Sequence, residues 1–99
     1  MEIKIQSIHF DATEKLQAFA EKKIAKLEKS FEDIKKVEVQ FKVVKPASAM
    51  NKETTLNVTV PGTVLHVEKT CDTFEQGVDD CVDAMRVQLS KYKEKARQY

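Results

Sequence analysis

Apolar and polar residues alternate at the start of the chain. Between Glu2 and Phe10, Ile3 and Ile5 fall on one side and Lys4 and Gln6 on the other, the period-2 signature of a half-buried strand. The period then changes. Asp11 and Thr13 offer oxygens for a helix cap, and Leu16, Phe19, Ala20, Ile24, Leu27 and Phe31 follow at three- and four-residue spacing with no Gly or Pro between them, which predicts an amphipathic helix. From Lys36 to Val44 alternation returns, with Val37, Val39, Phe41 and Val43 against Lys36, Glu38, Gln40 and Lys42. The boundary therefore falls near Asp33, and a strand with one wet face is expected. Pro46-Ala47-Ser48-Ala49-Met50-Asn51 has no period and opens on a residue that cannot donate to a ladder, so it reads as a loop. Leu56, Val58 and Val60 then alternate with Thr55, Asn57 and Thr59, and Pro61-Gly62 is a turn signal before a second β-rich run, Thr63 to Thr70, which predicts a hairpin. The last segment opens at Asp72 or Thr73 and carries Phe74, Val78, Cys81, Val82, Met85, Leu89 and Tyr92 on one face of a long helix running to the terminus. Gly77 costs that helix about 1 kcal/mol relative to Ala, so a close neighbour is expected to need the space.

The order is β-α-β-β-β-α. A crossover helix makes the first two strands parallel neighbours, and the other two add by hairpin-like connections. Each helix needs an apolar partner, and the sheet offers only one face with enough apolar positions. The expected architecture is α+β, a four-stranded mixed sheet with two helices packed on one face and the other face wet. Ninety-nine residues suit one domain, here spanning 1–99.

Composition adds little until charge is placed on the elements. The chain has 17 Lys+Arg against 16 Asp+Glu, a formal net charge of +1, so any electrostatic function must come from arrangement. On a wheel with Leu16 at zero, Lys15, Lys22, Lys26 and Lys29 fall between about 220° and 280°, and Glu14, Glu21 and Glu28 between about 120° and 160°. The first helix thus has a basic flank and an acidic flank. In the second helix the separation runs along the axis, with Asp72, Glu75, Asp79, Asp80 and Asp83 in the first half and Arg86, Lys91, Lys93, Lys95 and Arg97 in the second. The helix macrodipole rewards bases only in the last turn, so Arg86 and Lys91 exceed what that effect explains. A third basic group, Lys35, Lys36, Lys42, Lys45 and Lys52, marks the second strand and the loop after it. Helices lying side by side would bring the basic flank and the basic end together, a surface suited to a phosphate backbone and to structured RNA read by shape. The Phe residues fall mostly on core faces and Trp is absent, so base stacking is not the expected mode.

Other functions find less support. No apolar run approaches the ~18 residues of a spanning helix, and Met1-Glu2-Ile3-Lys4-Ile5 lacks a secretory layout, so a cytoplasmic protein without membrane contact is expected. Cys71 and Cys81 stand ten apart with no metal-ligand spacing, and read as ordinary buried thiols. Asp79, Asp80 and Asp83 span about 100° of the helix without a supporting His, an acidic face rather than a metal cluster. His66 alternates with Leu65 and Val67 and belongs on the wet face, in a solvated or cross-strand role, and His9 is read the same way. No nucleophile-base pair or Gly-rich cradle is present, so neither catalysis nor a cofactor is expected.

Three stretches carry a resemblance that covers nearly the whole chain. They are Thr13-Glu14 with Lys22-Lys23-Ile24-Ala25-Lys26-Leu27-Glu28-Lys29; Pro61-Gly62 leading into Leu65-His66-Val67-Glu68; and Val78-Asp79 through Val82-Asp83 to Gln88-Leu89-Ser90-Lys91-Tyr92-Lys93. In combination they resemble the ribosome hibernation-promoting factor family, also called ribosome-associated inhibitor or sigma-factor modulation protein, and specifically its short class. The resemblance implies a double-stranded-RNA-binding-like fold that enters the small ribosomal subunit between head and body. There it occupies the tRNA and mRNA sites and silences translation under stress or in stationary phase. Carried over by position, Lys22, Lys23, Lys26, Lys91, Lys93 and Lys95 would touch rRNA phosphates. The basic groups Lys29, Lys42, Lys45, Arg86 and Arg97 complete the candidate RNA-binding set. The chain departs from the family pattern at Thr73-Phe74-Glu75, where Asp-Met-Tyr is common, and at Ala84 and Val87, where a base is common. The expected partner is the small ribosomal subunit, with a second small hibernation factor as a further candidate. The alternative is a protein-interaction module that regulates a transcription or translation factor.

Overall fold

The structure is a computed structural model and describes residues 2–8, 12–44 and 51–96. Its elements are β1 (Glu2–Ile8), α1 (Glu14–Ser30), β2 (Lys36–Val43), β3 (Lys52–Val60), β4 (Thr63–Cys71) and α2 (Phe74–Ala96), in the expected order. The sheet order is β1-β2-β3-β4, with β1 parallel to β2 and the other neighbours antiparallel. His9, Phe10, Asp11 and the stretch 45–50, on which part of the expected first strand and the expected loop fall, lie outside the described residues.

Both helices begin on a threonine. The Thr13 hydroxyl accepts from the Leu16 amide at 3.1 Å, and the Thr73 hydroxyl accepts from the Gln76 amide at 3.1 Å, each satisfying one of the amides that a helix start leaves without a partner. Between β3 and β4, Val60 pairs with Thr63 across Pro61-Gly62, and Gly62 takes φ +85°, the positive value a type II turn demands at its second central residue.

The core lies between the helices and one face of the sheet. Leu16, Ala20, Ile24 and Leu27 of α1 meet Val78, Cys81, Val82, Met85 and Leu89 of α2 over Val37, Val39, Phe41, Leu56, Val58 and Val67, all buried. Phe41 and Phe74 join sheet and helix edge to face at 5.1 Å between ring centroids. Phe19, placed on the core stripe by its spacing, is only half-buried at the edge of α1. The opposite sheet face is polar as expected, and there the His66 Nδ1 lies 2.6 Å from the Oδ1 of its cross-strand partner Asn57.

Gly77 shows why a glycine stands inside α2. A β-carbon added there would overlap the Thr54 hydroxyl oxygen and come within 3.0 Å of the Thr54 β-carbon, so α2 approaches β3 more closely than any other residue would allow. The Thr54 hydroxyl is buried against the helix and has no hydrogen-bond partner. Gly77→Ala gains about 1 kcal/mol of helix propensity but forces the seam apart, at an overpacking cost of roughly 1–3 kcal/mol. Chemical denaturation should show Gly77→Ala to be net destabilising and Gly77→Ala/Thr54→Ala to be more stable than the sum of the two single changes.

Candidate nucleic-acid interface

The two helices run parallel. Lys23 Nζ of α1 lies 3.2 Å from Asp79 Oδ1 of α2, and further along both helices the Phe31 and Tyr92 rings meet edge to face at 5.5 Å. Their C-termini therefore lie at the same end, where both macrodipoles are negative and cations are favoured.

This registration sorts the basic residues. With buried Met85 at zero, Arg86 and Lys93 fall near 80–100° around α2, and Lys91 and Lys95 near 240–280°. Arg86 and Lys93 line a shallow groove of about 190 Å³ with Phe31, Leu89 and Ser90, on the side where α1 packs. Lys91 and Lys95 line a separate groove of about 360 Å³ with Thr63, Leu65, Gln88 and Tyr92, on the hairpin side. The bases of α2 thus straddle the helix, while Val87, 54% exposed, stands between the two rows. On α1, the pairing of Lys23 with Asp79 turns the flank of Lys22, Lys26 and Lys29 towards α2 and the acidic flank away from it. Lys22, Lys26 and Lys29 are all exposed, and Lys29 shares a surface hollow with Glu28 and Glu32.

Other expected members sit elsewhere. Lys23 is half-buried over the Phe19 ring, 5.5 Å from its centroid, as well as paired with Asp79. That pair lies in the acidic half of α2, so the charge of Lys23 is directed inward to the helix pair. Lys42 stands on the wet sheet face, away from both helices and directly across from Glu53. Lys36 on the same face lies 3.5 Å from Glu38. Lys45 and Arg97 lie outside the described residues.

Two residues that charge reasoning passes over hold α2 to the hairpin. Gln88 Nε2 donates to the His66 carbonyl at 2.9 Å, covering an acceptor on the open edge of β4, and the Tyr92 hydroxyl donates to the Pro61 carbonyl at 2.5 Å. Tyr92 was legible only as the end of a core stripe; its hydrogen bond depends on where the turn folds.

Both thiols hold their protons more tightly than a free cysteine. Burial pushes Cys81 up to about 12, and burial and the neighbouring Asp80 carboxylate also raise Cys71, whose Sγ lies 3.4 Å from Asp80 Oδ2. Among the described residues no group of acids, His and Cys is disposed to hold a metal ion, and no helix is long and apolar enough to cross a membrane.

Fold and surface together describe a small α+β protein whose two parallel helices carry exposed bases towards their C-terminal halves. The chain belongs to the Sigma 54 modulation protein / S30EA ribosomal protein family, whose model matches residues 3–97, a family of modulating and ribosomal proteins rather than of catalysts. It is 31% identical, over 99 residues covering both chains completely, to the ribosome hibernation promoting factors of Escherichia coli strain K12 and of Salmonella typhimurium strain LT2. Among solved structures it is similar to a ribosomal subunit interface protein from Coxiella burnetii, with a TM-score of 0.85 at 26% identity, covering 95% of this chain and 99% of the other. The N-terminal domain of Protein Y from Thermus thermophilus shares the fold, with a TM-score of 0.79 at 22% identity over 93% and 99% of the two chains.

On the wet face, the Glu53 carboxyl is displaced from its ordinary value near 4.5. It is raised by partial burial and by Glu68, and Lys42 opposes the shift. A carboxyl that holds its proton more tightly when folded favours the folded state as pH falls through and just above its ordinary range. Conversely, the ionised Glu53 carboxylate opposes folding at neutral pH. Glu53→Gln should therefore raise the melting temperature at pH 7, and thermal scans at pH 3, where the Glu53 carboxyl is protonated, should show that gain lost.

Proposed function

We propose that the protein is a ribosome hibernation factor that binds the small ribosomal subunit through rRNA phosphates and blocks the tRNA and mRNA sites by occupying them. The observation that carries this reading is that packing turns the Lys22, Lys26 and Lys29 flank of α1 towards α2, whose own bases Arg86, Lys91, Lys93 and Lys95 occupy its C-terminal half on both sides of the helix. Full-length likeness to ribosome hibernation promoting factors supports it from outside the chain. A charge-balanced protein with segregated bases approaches a polyanion in one orientation, because its acidic flank and acidic helix half are repelled. Phosphate contacts position a protein without reading sequence, which suits a binder that must recognise one folded RNA by its shape. No bond is made or broken in this mechanism; translation stops because the space is taken.

Within this proposal the contacts come from the helices. Lys23 is committed to Asp79, and Lys42 faces the other way beside Glu53.

Sedimentation with ribosomes and separated subunits across a salt series tests the reading. Wild-type protein should travel with the small subunit and dissociate steeply as salt rises. Arg86→Glu and Lys91→Glu should each weaken binding several-fold and lower the salt slope by about one unit or more. Lys42→Glu should leave binding within about twofold of wild type, as expected for a charge outside the phosphate contacts. Protein that stays at the top of the gradient at all salts would overturn the proposal.

A further inference from the structure

The groove between α2 and the hairpin is the larger of the two grooves beside α2 that set bases around an apolar floor. Leu65 and Tyr92, both half-buried, form that floor; Thr63 and Gln88 add polar groups; Lys91 and Lys95, both exposed, stand on the rim. Its volume of about 360 Å³ lies within the ~300–1,000 Å³ of small-ligand sites. The floor is held rigidly. The Tyr92 hydroxyl is fixed on the Pro61 carbonyl, its ring is braced by Phe31, and Gln88 is tied to the His66 carbonyl. Lys91 and Lys95 are four residues apart on one face of the helix, a rise of about 6 Å at 1.5 Å per residue, which suits two successive phosphates of a single strand. The inter-helix groove also has an apolar floor, Phe31 and Leu89, but both are buried and its volume of about 190 Å³ falls below that of small-ligand sites.

We propose that this groove is a single-nucleotide site, taking one unpaired base of a bound RNA against Leu65 and the Tyr92 ring while Lys91 and Lys95 hold the phosphates on either side. Charge complementarity selects an anionic ligand, the spacing of Lys91 and Lys95 matches successive phosphates, and the apolar floor selects an unpaired base over a duplex backbone, which needs basic groups but no floor. The site deepens the ribosome-binding reading and rests on it for the source of the RNA. It would anchor the protein at one exposed nucleotide while the remaining lysines read only shape.

The test uses the full chain and two probes of equal length and charge, a fluorescein-labelled single-stranded RNA hexamer and its abasic counterpart. Anisotropy titrations at low salt should give about 5- to 100-fold tighter binding of the base-bearing strand, the contribution of one base on an apolar and aromatic platform. The Leu65 methyl and Tyr92 ring signals should shift with the hexamer and not with the abasic strand, with Tyr99→Phe used to assign the ring. Thr63→Met occupies the groove with a flexible side chain that has no ring to stack on, and it should reduce the preference for bases. Lys95→Ala should weaken both strands alike. Equal affinity for the two strands, or hexamer-induced shifts that avoid Leu65 and Tyr92, would overturn the nucleotide site. Failure of wild-type protein to sediment with ribosomes would overturn the ribosome reading instead, because the hexamer titration needs no ribosome.

Discussion

The seam between α2 and the β3–β4 hairpin governs the rest of the molecule. Gly77 lets the helix sit directly on Thr54, Phe74 locks its first turn against Phe41, and the Cys81 thiol donates to the Thr54 carbonyl at 3.4 Å. About two turns and one turn before its described end, Gln88 and Tyr92 bind the edge strand and the turn. Fastened at both ends, α2 has one rotation about its axis and one height above the sheet. Every other placement follows: which bases face α1, which face the hairpin, and how far the last turn reaches past Pro61.

Charges in this chain serve stability and, in the proposed reading, recognition as well. Acids begin α2 and bases end it, in the sense the macrodipole favours, and the parallel neighbour α1 ends on Lys29 at the same side. Two negative helix ends side by side are unfavourable unless cations accompany them. A cluster of bases there is therefore partly offset within the protein, yet remains exposed to an external polyanion. At the acidic end the same logic recruits Lys23 to Asp79, a half-exposed pair that orients the helices more than it stabilises them. The wet sheet face mixes signs strand by strand, with Lys42 across from Glu53 and Lys36 beside Glu38, and so presents no comparable field.

Interleaving an apolar floor with these bases changes what the surface can distinguish. Lysines alone bind any phosphate chain and lose it to salt. A rigid half-buried tyrosine beside them adds a contribution that salt does not screen and that an unpaired base alone can satisfy. In this fold that combination arises because α2 overhangs the hairpin, and the helix residue reaching the turn carries a hydroxyl on a ring.

Periodicity alone determined the elements and their order. Alternation in Val37 to Val43 and Leu56 to Val60, the uninterrupted stripe from Leu16 to Phe31 and the Pro61-Gly62 turn are local features, each set by which neighbours along the chain share a face. Even the misfit of Gly77 announced a close contact, though not that Thr54 makes it. The grouping of charges was legible as far as one element reaches: a basic flank on α1, a basic end on α2. What only the tertiary structure decided is how these combine, because a helical wheel carries no information about the height and rotation of one helix against another. The same lysine type at Lys23, Lys42 and Lys91 reads alike along the chain. Packing leaves the first on Asp79, the second across from Glu53 and the third on the rim of a groove, since each is placed by residues far from it in sequence.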